Sequence, residues 1–107
     1  MSISIFLKNW RKKRLLKQIY KLREESALQC KSAEVAKRSA DEKSRFITLL
    51  QEQASSNDVF SSIHLSCYLD DYLAQLHSYE NDYAILNQRY LNTQDQLKRL
   101  EEVLESL

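Results

Sequence analysis

The sequence contains neither glycine nor proline in its 107 residues. These are the two residues that most readily end a helix, so nothing in the chain forces a long helix to stop. Without glycine there is also no glycine-rich loop of the kind that holds phosphate groups. We therefore expect a chain that is helical over most of its length and has no nucleotide-binding loop.

Residues that carry chemistry are scarce. The chain has two cysteines, Cys30 and Cys67, and two histidines, His64 and His77. Two lone cysteines in a polar chain favour a reducing, cytoplasmic setting, and in an antiparallel hairpin they would lie too far apart to form a disulfide. Neither histidine has a cysteine or an acid at the spacing of a metal site. We expect no metal, no cofactor and no enzymatic activity.

Long apolar runs are also missing. Residues 3–7 form too short an apolar stretch for a signal peptide, and their positive charges follow rather than precede them. No stretch is long enough for a transmembrane helix, so no direct membrane insertion is expected.

The second half of the chain instead contains one unbroken heptad seam. Its members alternate in steps of four and three, and only Thr93 among them is neither aliphatic nor aromatic. An α-helix brings such residues onto one face, which predicts a stripe built to meet another helix. The seam consists of Leu65, Leu69, Tyr72, Leu76, Tyr79, Tyr83, Leu86, Tyr90, Thr93, Leu97, Leu100, Leu104 and Leu107.

The first half carries a weaker seam with a small centre, formed by Ala33, Ala36 and Ala40. In an antiparallel pair these alanines would face Tyr79, Tyr83 and Leu86, and Ser26 would face Thr93, so that small residues meet large ones and the polar residues of the two seams meet each other. The full seam is Ile5, Lys8, Lys12, Leu15, Ile19, Leu22, Ser26, Gln29, Ala33, Ala36, Ala40, Lys43, Ile47 and Leu50.

A serine-rich stretch at residues 54–58 is the one turn-like cluster in the chain. We predict a single domain over 1–107, with helix 1 at about 4–53, a connector at about 54–65 and helix 2 at about 66–107. Ser55 and Asp58 fit a capping box, and Ser62 and Ser66 are alternative N-caps. Residues 59–64 fit either the first turns of helix 2 or a packed loop. The predicted fold is all-α: two long helices forming an antiparallel coiled-coil hairpin.

The net charge of +1 hides an asymmetry. Residues 1–53 contain 13 Lys and Arg against 6 Asp and Glu, whereas residues 54–107 contain 3 against 9. The basic start and the acidic finish each oppose the dipole of their own helix. An antiparallel hairpin would compensate for this by laying the basic start beside the acidic finish.

The basic start also carries aromatic side chains. Phe6, Trp10 and Leu16 supply more apolar area than the seam needs, and aromatic residues with arginine are typical of binding hot spots. Three interpretations remain open: a face that only balances the acidic end, a protein-binding end, which we favour, or a membrane-surface or nucleic-acid site. The near-neutral total charge argues against nucleic acid. The residues predicted to bind a partner are Trp10, Arg11, Lys12, Lys13, Arg14, Lys17 and Lys21.

Three features together resemble the FliJ/YscO family of type III secretion stalk proteins. They are the basic helix at residues 6–16, the serine-rich connector at 55–58 and the renewed heptad helix that opens at Ser66. The resemblance implies a cytoplasmic protein at the cytoplasmic face of a secretion apparatus. It would bind and stimulate the hexameric secretion ATPase through the paired chain ends and link it to the export gate, with secretion chaperones as further partners.

In the flagellar members of that family, residues early in helix 2 contact the export gate with spacings of four, three and four. Tyr72, Leu76, Tyr79 and Tyr83 match that spacing here. The same residues belong to the predicted seam, so the neighbouring Leu73 and His77 are included as gate candidates. The alternative function is a non-catalytic coiled-coil chaperone or scaffold that binds another helical protein.

Overall fold

The computed structural model describes residues 3–55 and 59–107, and it consists of two long α-helices. Helix α1 runs over Ile3–Ser55 and helix α2 over Val59–Glu105. The described residues contain no strand. Each helix continues through its polar stretches because no glycine or proline interrupts the backbone hydrogen bonding. The predicted all-α fold with two long helices is confirmed.

The helices pack as two units. The terminal unit combines Met1–Lys31 with Leu86–Leu107, and the central unit is Ser32–Ile85. In both units α1 and α2 run antiparallel. Arg23 pairs with Glu101 in the terminal unit, and Phe46 packs on Tyr72 in the central one.

The core of the terminal unit follows the predicted seam. Ile19 is 1% exposed and Leu97 is 5% exposed. Next to them lies a polar layer in which Ser26 and Thr93 are both buried. Gln94 donates its side-chain amide to the Ser26 hydroxyl, and the Thr93 hydroxyl donates to the Arg89 carbonyl of its own helix at 3.1 Å. This contact between Ser26 and Gln94 lies one residue from the predicted pairing of Ser26 with Thr93.

The central unit is built on small α1 residues and aromatic α2 residues. Ala33, Ala40 and Ile47 are buried. The Phe46 ring meets Tyr72 edge-on, with ring centroids 5.2 Å apart. The Lys43 ammonium lies 5.1 Å from the centroid of the Tyr72 ring. A lysine can occupy this seam position because its charge faces the π-system of the tyrosine.

Helix α2 begins earlier than predicted, and the predicted connector over 54–65 is wrong at both ends. Residues 59–64 are helical, and Ser62 and Ser66 lie inside α2 rather than at its N-cap. Residues 59–64 contain neither glycine nor proline, and the lowered helix propensity of Val59, Phe60 and Ile63 is too small to end the helix. Ser55 belongs to α1, where its hydroxyl donates to the Gln51 carbonyl at 2.8 Å. Its proposed capping partner Asp58 lies outside the described residues.

The predicted α1 seam also starts too early. Ile5, Lys8 and Lys12 are exposed, whereas Leu15 and Ile19 are partly and fully buried. The pairing of Ser26 with Gln94 places the last turn of α2 level with the turn of α1 directly before Ile19. No α2 residue of the described chain is therefore level with Ile5 or Lys8, and the first turns of α1 are exposed on all sides.

Candidate partner-binding surfaces

The first candidate surface is a basic and aromatic face at the start of α1. Because an α-helix advances about 100° per residue, residues 6, 10, 13, 14 and 17 fall on one side of it. That side is opposite the seam residues Leu15 and Ile19, so packing against α2 leaves it uncovered. We call this set the basic–aromatic face: Phe6, Trp10, Lys13, Arg14 and Lys17, all of them exposed.

Trp10 lies at the centre of this face and is 52% exposed. It lines two shallow concavities that share Lys13. Arg14 and Lys17 complete one of them, and Phe6 is among the residues that complete the other. A flat indole between two grooves is a shape that a partner side chain can pack against from either side.

The ring of Trp10 also contacts the positively charged side chain of Arg14. The guanidinium carbon of Arg14 lies 5.4 Å from the ring centroid, one helical turn away. This geometry is that of a cation–π contact, which orients the arginine while leaving its N–H donors available. The pair therefore presents an ordered positive, hydrogen-bonding group beside exposed apolar area.

No acid neutralises this end of the chain. The sequence has no Asp or Glu before Glu24. In the terminal unit Glu101 pairs with Arg23 at 3.1 Å, and Asp95 pairs with Arg99 at 2.9 Å within α2. Of the predicted contacts between the basic start and the acidic finish, the structure shows the Arg23–Glu101 pair. The bases of residues 8–17 form no ion pair among the described residues.

All seven residues predicted to bind an ATPase are exposed in the terminal unit, but they do not share one face. Lys13, Arg14 and Lys17 lie with Trp10. The Cα of Lys12 lies on the opposite side, in line with the α1 seam, but its side chain lines one concavity together with Phe6 and Trp10. Arg11 lies between the two sides. The predicted partner-binding residues do not include Phe6, although its spacing of four from Trp10 is the signal that joins the two on one face.

The second candidate surface, predicted to contact an export gate, is divided by the fold. Tyr72, Leu76 and Tyr83 are partly buried in the seam of the central unit, and Tyr79 is 37% exposed. Tyr72 is further held by a 2.7 Å hydrogen bond between its hydroxyl and His64 Nε2. These side chains are engaged within the hairpin and offer a partner little more than their edges.

The neighbouring residues face outward instead. Leu73 is 43% exposed, and His77 is exposed as well. His77 lines a shallow groove on α2 together with Ala74, Ser78, Glu80 and Asn81. The outward stripe, defined here as Leu73, His77 and Glu80, is the part of the predicted gate surface that a partner can reach.

The described residues offer little for other chemistry. Over residues 3–55 and 59–107, no cluster of His, Cys, Asp or Glu could hold a metal ion. Neither cysteine forms a disulfide within the described residues; Cys30 is partly buried and Cys67 is exposed. In the same residues neither helix has a stretch apolar enough to cross a membrane.

Comparisons with protein-family models, with curated proteins and with solved structures give no match for this chain.

Proposed function

We propose that this protein is a non-catalytic stalk that binds and stimulates a hexameric secretion ATPase through the basic–aromatic face. The observation that supports it most is the position of that face. Trp10, Arg14 and Lys17 lie opposite the seam, so the hairpin can form and bind a partner at the same time. The resemblance to the FliJ/YscO stalk family supplies the kind of partner.

The electrostatics fit a ring lumen lined with acids. The bases of residues 8–17 have no acid partner among the described residues, so their full charge is available to a docking surface. Complementary charge of this kind speeds association and fixes orientation more than it adds affinity. Trp10 and Phe6 would contribute the apolar contacts that hold the complex once it has formed.

The test reverses the three bases of the basic–aromatic face: Lys13→Glu, Arg14→Glu and Lys17→Glu. The variant should keep its helix content by circular dichroism, because these exposed side chains do not pack on α2. It should fail to stimulate ATP hydrolysis by the hexameric secretion ATPase of the same genome. Stimulation by the unaltered chain should fall as salt is raised, because exposed charges are screened.

A matched control keeps the change in net charge and moves it elsewhere. Lys31→Glu, Lys37→Glu and Lys98→Glu reverse three exposed bases outside the basic–aromatic face. This variant should stimulate the ATPase as well as the unaltered chain does. Equal stimulation by both variants, or equal loss in both, would contradict docking through this end.

For the link to an export gate we propose the outward stripe rather than the seam tyrosines. Leu73→Ser with His77→Ala should weaken binding to the export-gate protein and leave thermal stability nearly unchanged, because both side chains are exposed. Tyr83→Ala is the contrasting variant. Tyr83→Ala should lower stability, because Tyr83 is partly buried. If this variant is still folded at the temperature of the assay and yet fails to bind the export-gate protein, the gate site includes the seam tyrosines.

The alternative function, a scaffold that binds another helical protein, is favoured by one observation in the central unit. Val35 and Leu49 are both more than half exposed on α1, far from the basic–aromatic face in sequence. A scaffold would bind its partner through such residues and would not stimulate any ATPase. Partner binding that survives reversal of Lys13, Arg14 and Lys17 but is lost in Val35→Ser with Leu49→Ser would support it.

A further inference from the structure

The first turns of α1 carry a run of large apolar side chains on one side of the helix. Their spacing follows the helical repeat, which brings them together on that side. We call this set the apolar stripe: Ile3, Phe6, Leu7 and Trp10. All four are more than half exposed, from 51% for Leu7 to 77% for Ile3. No α2 residue of the described chain is level with these turns, so packing against α2 leaves the stripe open.

Bases continue the same side of α1 directly after the stripe. Each of them is three or four residues from Trp10 or from the next base: Lys13, Arg14, Lys17 and Lys21. Contacts agree with this placement, because the guanidinium carbon of Arg14 lies 5.4 Å from the centroid of the Trp10 ring, and Lys13 and Lys17 line a concavity with that ring. The sequence has no acid before Glu24, so no carboxylate interrupts this side before its bases end.

The order of these side chains matches the profile of one leaflet of a lipid bilayer. Along α1 the apolar side chains come first, Trp10 follows, and the bases come last. From the middle of a leaflet outward, acyl chains are followed by the interface in which tryptophan is enriched and then by the phosphate groups. The stripe extends about 10 Å along the helix axis, and an interfacial helix enters a leaflet to a depth of about 5–10 Å.

Other partners fit this combination less well. A nucleic acid would pair its phosphates with the bases, and its rings could stack on Phe6 and Trp10, but the aliphatic Ile3 and Leu7 have no such contact to make. A second copy of this chain docked through the same side would bring positive charge to positive charge. An anionic lipid surface satisfies the apolar and the basic part of this side together.

From this arrangement we infer that the start of α1 binds to the surface of an anionic lipid membrane. The apolar stripe would enter one leaflet, and the bases that follow it would contact the lipid phosphates. Helix α2 packs on the opposite side of α1 and would point away from the lipid. The basic–aromatic face is part of this surface, so a membrane and the ATPase would compete for it. The inference does not rest on the proposed function, because binding to lipid is measured without the ATPase.

Vesicle flotation tests the role of charge. The full chain should float with vesicles of equal parts phosphatidylcholine and phosphatidylglycerol, and it should not float with vesicles of phosphatidylcholine alone. Reversing the charges with Lys13→Glu, Arg14→Glu and Lys17→Glu should lower the partition coefficient on the anionic vesicles by about a hundredfold or more, because each base near such a surface contributes about fivefold. The matched control with Lys31→Glu, Lys37→Glu and Lys98→Glu changes the net charge equally. It should have a far smaller effect, because these bases lie outside the surface.

A second pair of variants tests the apolar stripe. Ile3→Ser with Leu7→Ser should weaken binding to the anionic vesicles by about tenfold or more, because it removes two large apolar side chains from the part that enters the leaflet. It leaves every residue of the basic–aromatic face in place, so it separates lipid binding from stimulation of the ATPase. Val35→Ser with Leu49→Ser makes the same kind of change at exposed residues of the central unit and should leave vesicle binding unchanged.

Trp10 reports how deep the helix lies. It is the single tryptophan of the chain. With anionic vesicles whose acyl chains carry bromine close to the headgroups, its emission should shift to shorter wavelength and be quenched, because the ring would lie in the interface. Attraction between charges alone would hold the chain outside the leaflet, where the bromine could not quench this emission.

Three results would overturn the inference. The chain could fail to float with the anionic vesicles, or it could float as well with vesicles of phosphatidylcholine alone. It could bind the anionic vesicles while the emission of Trp10 remains unquenched and Ile3→Ser with Leu7→Ser has no effect, which would reduce the binding to attraction between charges. It could bind a single-stranded oligonucleotide more tightly than the anionic vesicles, which would assign this side of α1 to nucleic acid.

Discussion

Gln94 donates a hydrogen bond from its side-chain amide to the hydroxyl of Ser26, and this contact joins α1 to α2 at the polar layer of the terminal unit. The layer lies between the buried α1 residues Ile19 and Ala33. Ser26 is a seam residue and Gln94 follows the seam residue Thr93, and a polar contact of this kind favours the alignment of the two helices in which both groups are paired. The Ser26–Gln94 contact therefore helps to fix the register of the hairpin.

Two substitutions distinguish the effect of the hydrogen bond between the helices from the effect of a polar residue in the seam. Ser26→Ala should lower the free energy of unfolding by about 0.5–1.5 kcal/mol, because it removes the hydrogen bond to Gln94. Thr93→Val should be nearly neutral or stabilising, because the Thr93 hydroxyl bonds only a carbonyl of its own helix. Urea denaturation followed by circular dichroism measures both. A larger loss in Thr93→Val than in Ser26→Ala would contradict the role assigned to Ser26.

Gln29 offers a route to a more stable chain. Its side-chain oxygen is buried at a seam position and has no hydrogen-bond partner in the part of the chain that the structure describes. Leaving a buried acceptor unpaired costs about 1–3 kcal/mol, and a leucine of similar size would remove that cost. Gln29→Leu should raise the midpoint of thermal unfolding. The exposed Gln18→Leu is the control and should shift it little; a lower midpoint for Gln29→Leu would show that the amide is satisfied in solution.

Ala40 tests the packing of the central unit. It is 8% exposed in a seam where large aromatic residues project from α2. Ala40→Leu should lower the free energy of unfolding by about 1–3 kcal/mol, because the added carbons have no space. Ala74→Leu adds the same atoms at an exposed site of the same unit and should change stability little. Equal effects of the two substitutions would mean that Ala40 does not pack closely against α2.

The heptad pattern was sufficient to predict most of the fold. Ile19, Ala33 and Leu97 were predicted in the seams and are buried, because a period of 3.5 residues keeps one face of each helix against the other. The pattern could not show that Ile5 or Lys8 would be exposed. Periodicity describes one helix at a time, whereas burial depends on a facing residue in the other helix.

The ends of the helices and the binding surfaces were harder to predict. Serines at 62 and 66 resembled caps, yet serine is tolerated inside a helix when no stronger break is present, and α2 starts at Val59. For the basic–aromatic face, composition indicated the segment, and the fold selected the side that includes Phe6, Trp10 and Lys17.

Trp10 is the single tryptophan of the chain and lies at the centre of the surface that we propose as the docking site. Its fluorescence therefore reports on that surface directly. Replacing it with 5-hydroxytryptophan allows selective excitation in the presence of tryptophans in the partner. The exposed ring should show emission at long wavelength and ready quenching by iodide in the free protein, because half of it is in contact with solvent.

Adding the hexameric secretion ATPase tests the central claim most directly. Docking through the basic–aromatic face would bury Trp10. As ATPase is added until all of the chain is bound, the emission of Trp10 should shift to shorter wavelength and its quenching by iodide should fall. The charge-reversed chain with Lys13→Glu, Arg14→Glu and Lys17→Glu should show neither change. If the ATPase is stimulated while the emission and the quenching of Trp10 stay as they are in the free chain, the docking site lies elsewhere and the account is wrong.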